Sequence, residues 1–256
     1  MDVFSQGDYD VRFDWGPTGA LAIAGGAAFV AVIDVLSFTT ALTVAVDHGA
    51  AVLPYRWRDA SAAETAARHR AVLAVGRSVA GPGEVSLSPA TIAEAASRRP
   101  IERLVLPSPN GSTIAASLDA TGATVVGVSL RNAPAAAAWV RSRAAGRPIA
   151  VVAAGERWPD TSLRPAPEDL WGAGAFLHHL STPSVPSALR RSPEAGVAIA
   201  AYRAVATDLP AALAATASGR ELTAGGYHAD VEVAAAFDAS TSVPVLQDGW
   251  FRQAGV

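Results

Sequence analysis

Hydrophobic and polar positions alternate in blocks along the first 180 residues. Short apolar runs rich in β-branched residues occur at 28–35, 51–55, 71–75, 103–107, 123–128 and 149–153, each of strand length. Between them lie Ala-rich stretches at 39–47, 59–70, 89–98, 112–120, 133–145 and 167–180, which predict helices. The punctuation agrees with this reading. Gly49 follows the first helix, Asp59 or Ser61 opens the second, and Pro89 stands in the first turn of the third, positions that suit helix stops and starts. Residues 76–83 form a Gly- and Pro-broken loop. Residues 20–33 are apolar but shorter than the roughly 20 residues a spanning helix needs, and they read as one or two buried strands.

After residue 180 the alternation stops. A Ser- and Pro-rich connection at 181–191 leads to helical stretches near 194–206, 210–217 and 230–237, and one strand, 242–246, closes the chain. Strands that alternate with helices of about ten residues imply a layered α/β fold with a mainly parallel sheet covered on both faces. The expected division is an α/β part at 1–180 carrying most motifs and a helix-rich C-terminal part at 181–256 packed on the same site. In a parallel sheet the ligand crevice lies beyond the carboxyl ends of the strands. Asp34, Ser108 to Gly111, Ser129 to Asn132, and Gly155 to Arg157 each follow an apolar run, so the strands are expected to deliver these polar groups to one edge.

Composition narrows the chemistry. The chain has no cysteine and, among its 20 basic residues, no lysine. Thiolate metal sites, cysteine nucleophiles, lysine Schiff bases and a P-loop lysine are therefore excluded. With 23 acidic residues the net charge is −3, which gives no footprint for nucleic acid or an anionic membrane. Asp2, Asp8, Asp10 and Asp14 against a single Arg12 precede the apolar segment, the wrong sign for a signal peptide, so the expected location is the cytoplasm. A homodimer is the default expectation for an oligomer.

Asp34 is the sharpest single residue. A carboxylate at the end of an otherwise apolar strand must be capped, paired or bound to metal, and the choice between helix cap, Mg²⁺ ligand and nucleophile stays open. Ser108-Pro-Asn-Gly-Ser112 is a tight turn into a helix, either a phosphate cradle or an ordinary connection. Glu156 and Arg157 offer a metal-binding carboxylate and a guanidinium fork, or a local ion pair. Glu168 and Asp169 suit a helix start. The five histidines have no partners at metal spacing, and H-E-x-x-H and G-x-S-x-G are absent.

Several motifs in order resemble one family. They are Ile33-Asp-Val-Leu with Thr39-Thr40, Ser108-Pro-Asn-Gly-Ser, Ser129-Leu-Arg-Asn-Ala133, Ala154-Gly-Glu156, Glu168-Asp-Leu-Trp-Gly-Ala-Gly174, and Asp230-Val231 with Val243-Pro244. From about residue 29 to 245 the chain resembles the 2-phosphosulfolactate phosphatases, the ComB family of coenzyme M biosynthesis. The resemblance implies an α/β fold and a Mg²⁺-dependent phosphatase that converts 2-phospho-3-sulfolactate to sulfolactate and phosphate. Asp34, Asn110, Asn132, Glu156, Glu168 and Asp169 match the family's polar motif positions.

The chain departs from the pattern at three places. Ser37 stands where the family usually has Arg, Leu87-Ser-Pro89 replaces Asn-Ser-Pro, and residues 157–161 follow Gly-Glu in place of a short Gly turn. Arg131, Arg157 and Arg56 are the candidates to replace the missing anion clamp. The combined expectation assigns Mg²⁺ to Asp34, Glu156 and Asp169, with Asp34 and Glu156 catalytic. A small phosphorylated acid would be bound by Ser37, Thr39, Asn110, Gly111, Ser112, Arg131, Asn132 and Arg157, and by the N-termini of the helices after Asp34 and Asn110. Glu168 and Asp230 are further candidates. A non-catalytic small-anion binder on the same fold is the alternative.

Overall fold

The computed structural model of the chain describes residues 2–57, 59–81, 83–181 and 189–255. The first half runs β1 (Val11–Trp15), α1 (Gly16–Ile23), β2 (Phe29–Ile33), α2 (Phe38–Asp47), β3 (Ala51–Tyr55), α3 (Ala60–His69), β4 (Val72–Leu73), α4 (Pro89–Arg98), β5 (Arg103–Pro107) and α5 (Gly111–Leu118). There follow β6 (Thr124–Val128), α6 (Ala133–Ala144), β7 (Ile149–Ala153), β8 (Glu156–Arg157), β9 (Leu163–Arg164) and α7 (Pro167–Leu180). The last part is α8 (Pro193–Val205), α9 (Leu209–Ala215), α10 (Ala217–Ala224), α11 (His228–Ala235), β10 (Pro244–Gln247) and β11 (Trp250–Gln253).

Where local signals are strong, the expected elements coincide with these: β3, α4, β5, β7 and α7 have the expected bounds. The start of α4 shows why, since the Ser88 hydroxyl accepts from Thr91 N–H and Pro89 sits in the first turn, each satisfying a helix-start requirement. Four differences stand out. Residues 20–33 are not strand throughout: α1 ends at Ile23, the Gly25-Gly26 break follows, and β2 begins at Phe29. The strand β1 is an addition to the expected elements: Arg12 breaks its apolar pattern yet points inward, its guanidinium donating to the carbonyls of Ile23 at 3.1 Å and Gly25 at 2.8 Å. The helix α10 is likewise additional, and Thr216 caps it by accepting from Gly219 N–H at 3.0 Å. The chain closes on two strands and not one, because Asp248-Gly249, both at positive φ, turns β10 into β11, an Asp-Gly hairpin signal. Most of the 181–191 connection, 182–188, lies outside the described residues.

Nine strands form one sheet in the order β1-β7-β2-β6-β10-β11-β3-β5-β4, and β8 pairs with β9 in a separate ribbon. The sheet is mainly parallel, in two blocks. In one, β1, β7, β2 and β6 run together; in the other, β3, β5 and β4 do. The antiparallel β10–β11 hairpin joins them, and each joint has a single register pair, Val245 with Val126 and Phe251 with Val52. Three successive antiparallel steps reverse direction three times, so the two blocks point opposite ways. This corrects the expectation of one common edge: β2, β6 and β7 share it, but β5 does not. From β2 to β5 there are five pairing steps, and a twist of about 20–25° per step accumulates to roughly 100–125°. That coiling swings the exit of β5 back toward the exit of β2.

Burial on both faces explains the continuous apolar runs. Phe29, Ala31 and Ile33 of β2 enter one core cluster, and Val30 and Val32 the other, as the two-residue period of a strand requires. On the first face α7 and α8 lie unusually close. A Cβ at Gly174 would stand 2.1 Å from the carbonyl oxygen of Ala198, so only glycine allows this approach. The closeness fixes α7, whose first turn carries Glu168 and Asp169. Among the described residues no single helix is long and apolar enough to cross a membrane.

Candidate active site

The exits of β2, β5 and β7 meet at a cavity of about 540 Å³ whose lining includes Asp34, Ser37, Asn110 and Glu156. Asp34 is buried, 4% exposed, and is held on every side. Its backbone N–H donates to Thr39 Oγ1 at 3.0 Å, and the same hydroxyl donates to its carbonyl at 2.8 Å. Its carboxylate accepts Phe38 N–H on Oδ1 at 3.1 Å and Gly111 N–H on Oδ2 at 2.9 Å. These are the first N–H groups of α2 and α5. Two helix N-termini thus converge on one carboxylate, where their dipoles favour negative charge. Gly111 has to be glycine for this approach, because a Cβ there would meet Phe38 Cδ1 at 2.5 Å and Asp34 Oδ2 at 2.7 Å.

Three more carboxylates gather behind Asp34. Asn110 Nδ2 donates to Glu156 Oε2 at 2.9 Å. Burial, followed by the charges of Asp34 and Glu168, pushes the Glu156 carboxyl up to about 7, against the lowering effects of Arg164 and Asn110. Asp169 braces two strand exits, accepting from Val35 N–H at 2.7 Å and from Gly155 N–H at 2.8 Å. Burial, then Asp34 and Glu168, raises its carboxyl well above the ordinary range. Glu168 is 1% exposed, and neither of its oxygens has a hydrogen-bond partner among the described residues. A buried unpartnered carboxylate costs several kcal/mol, so the cluster carries uncompensated acceptor capacity.

A divalent cation would compensate it. Hard carboxylate oxygens suit Mg²⁺, which takes one or two of them directly and retains waters. Among the described residues no three acidic or histidine side chains stand at ligand spacing. The buried, unpartnered Glu168 oxygens are the observation that fits the group.

Cations also line the cavity. Arg157 donates from Nε to Asn110 Oδ1 at 3.3 Å and from Nη1 to the Thr161 carbonyl at 3.2 Å. Arg164 donates to Ser218 Oγ at 3.2 Å and lies 5.9 Å over the Trp158 ring. Arg77, from the Gly- and Pro-broken loop at 76–83, donates from Nε to Asp230 Oδ2 at 2.7 Å and from Nη2 to Ser37 Oγ at 2.6 Å.

Compared with known families, residues 22–249 match the family model for 2-phosphosulpholactate phosphatase, which is nearly the whole chain. The chain belongs to this family. Its members are phosphatases, hydrolases that act on phosphate monoesters, and this chain is an enzyme of that class. No curated protein matches it.

The phosphatase fold gathers some of the expected residues and sets others apart. Asp34, Ser37, Asn110, Glu156 and Arg157 line the cavity. Thr39 and Ser112 do not; Thr39 holds the Asp34 backbone, and Ser112 Oγ accepts from Ser108 N–H at 3.0 Å and donates to the Tyr55 carbonyl at 2.8 Å. Asn132 spends its amide within the fold, accepting from Ser129 N–H at 2.8 Å and donating to the carbonyls of Gly127 and Ser242 at 3.2 and 3.0 Å. Arg131 bonds the Val233 carbonyl and pairs with Asp47 at 3.6 Å. Arg56 lies 4.4 Å over the Trp57 ring. Neither lines the cavity, so neither replaces the missing Arg at position 37. The leading N–H groups of α2 and α5 are taken by Asp34 and are not free for phosphate. Asp169 accepts one backbone N–H on each oxygen, as Asp34 does, whereas the Glu168 oxygens have no hydrogen-bond partner among the described residues, which adds Glu168 to the metal candidates.

Arg164, Arg77 and Tyr227 are cavity residues that sequence reasoning missed. Arg164 lies seven residues beyond Arg157, on the partner strand of the β8–β9 ribbon, and a hairpin reading of 156–164 would have found it. For Arg77 the sequence offered no signal beyond a cation in a Gly-rich loop.

Proposed function

We propose that this phosphatase hydrolyses the phosphate ester of 2-phospho-3-sulfolactate in a Mg²⁺-dependent reaction. The observation that carries the reading is the buried carboxylate cluster at the cavity, in which both Glu168 oxygens lack a hydrogen-bond partner among the described residues. Asp34, Glu156 and Glu168 would hold the ion. Bound there, Mg²⁺ supplies charge neutralisation at phosphate and lowers the pKa of a bound water.

The protein's own groups do the positioning. The two helix N-termini fix the Asp34 carboxylate, so no reorganisation is needed when charge shifts beside it. Asn110 fixes Glu156, which lines the cavity, through Oε2. Arg157 and Arg164 present guanidinium groups, whose planar forks match phosphate oxygens. The cavity, at about 540 Å³, has room for a small acid besides the phosphate.

The test is phosphate release from phosphosulfolactate, phospholactate and p-nitrophenyl phosphate, with Mg²⁺ and with EDTA, alongside Asp34→Asn. The expected result is Mg²⁺-dependent release, fastest with phosphosulfolactate and reduced by at least ~10³-fold in the variant. Folded, Mg²⁺-supplied wild-type protein that releases no phosphate from any of them refutes the reading.

A further inference from the structure

The phosphate side of the cavity is accounted for by the acidic cluster, Asn110, Arg157 and Arg164. The wall formed by Arg77 and Ser37 is not. Arg77 is more rigidly built than its two neighbours. Its Nε is bound to Asp230, a carboxylate 1% exposed in the first turn of α11, and its Nη2 to Ser37 at the start of α2. The Tyr227 ring lies 5.7 Å beneath the guanidinium. Asp230 is itself fixed from α4, because the Ser88 hydroxyl and Ala90 N–H donate to its other oxygen. Three helices therefore converge to hold one side chain that is 17% exposed and faces the cavity.

What this arrangement leaves open is specific. Nη1 of Arg77 has no acceptor among the described residues, and its two protons remain to donate. Ser37 Oγ accepts from Nη2, so its own proton also remains. Two donors, one of them charged, stand side by side on a wall formed by α2 and α11. Arg164, on the β8–β9 ribbon, lines the same cavity, and its charge acts on Glu156. A ligand with one anionic group at the carboxylate cluster and a second some bonds away would meet both walls.

We infer that Arg77 and Ser37 bind the second acidic group of the substrate, a sulfonate or carboxylate, and so determine specificity for doubly acidic phosphate esters. Asp230 is the positioning residue that aims Arg77. The inference rests on the phosphatase reading for its substrate, and its test has an arm that needs no turnover.

The variants are Arg77→Met combined with Asp230→Asn, which removes both charges and leaves no buried carboxylate unpaired, and Ser37→Ala, which leaves the ion pair intact. Calorimetry measures sulfolactate and inorganic phosphate binding; kinetics measure kcat/KM on phosphosulfolactate and phenyl phosphate. In the double variant sulfolactate affinity and kcat/KM on phosphosulfolactate fall about 10- to 150-fold, the range of a charge-assisted hydrogen bond. Phosphate binding and phenyl phosphate turnover fall less, so that the ratio of kcat/KM on phosphosulfolactate to that on phenyl phosphate drops at least about tenfold. Ser37→Ala shows the same selective pattern with a loss of about 3- to 10-fold, and decides the matter if the double variant does not fold. Equal losses on both esters, or unchanged sulfolactate affinity, overturn the proposal. If the wild type hydrolyses neither ester, the phosphatase reading fails while the binding arm still decides; a wild type that does not bind sulfolactate overturns the Arg77 assignment itself.

Discussion

Glu156 shows how a side chain's surroundings become a measurable property. Its carboxyl rises from an ordinary 4.5 to about 7, through burial first and then Asp34 and Glu168. Between those values the folded protein binds more proton than the unfolded chain, so without divalent metal this group makes stability fall as pH rises from about 4.5 to 7. The full penalty, about 3 kcal/mol, applies above pH 7 and vanishes below 4.5. In EDTA, Glu156→Gln is therefore expected to melt higher than wild type at pH 8 and to match it near pH 4.5, by calorimetry. Mg²⁺ should raise the wild-type midpoint more than the variant's. A variant that melts lower than wild type in EDTA at pH 8 would contradict this account. The carboxylates at 34, 156, 168 and 169 were all legible as polar residues at element ends. Their roles were not, because capping, bracing and exposure depend on which N–H groups the fold brings within reach. Asp34, read as cap or ligand, caps α2 and also lines the cavity; Asp169, expected on the metal, braces the exits of β2 and β7 with one backbone N–H on each oxygen.

At the scale of elements, the junction of β2–α2 with β5–α5 is the critical one. Gly111 N–H binds Asp34, and the glycine's bare Cα admits Phe38. In Gly111→Ala the new methyl must displace Phe38 or the carboxylate, at an expected cost of about 1–3 kcal/mol and at least ~10-fold in kcat. Urea unfolding and phosphate release check the two. Wild-type-like values for both would show that the junction relaxes freely. The elements themselves were well marked where caps and length agreed, as in α4, α7 and the buried strands. They were missed where a polar residue broke the pattern, as Arg12 did in β1, or where a Thr cap lay within an Ala-rich run, as at α10.

On the scale of the whole molecule, the C-terminal hairpin decides the architecture. It joins two parallel blocks of opposite direction, and Phe251, fully buried, packs edge-on against Phe38 at 6.2 Å between ring centres. If the blocks fold as one unit, tryptophan fluorescence and circular dichroism trace a single coincident unfolding transition. Phe251→Ala lowers its stability by about 3–5 kcal/mol. Two separated transitions in the wild type would show that the blocks fold independently. The sequence by itself determined the α/β class, most buried strands and helices, the family, and the stock of acidic residues, since periodicity, caps and ordered motifs are local. The tertiary structure alone decided the reversal of the second block, the removal of Arg131 and Asn132 from the cavity, and the meeting of Arg77 with Ser37 across 40 residues. These depend on how a twisted sheet coils and which helices it brings together, and no local pattern encodes that.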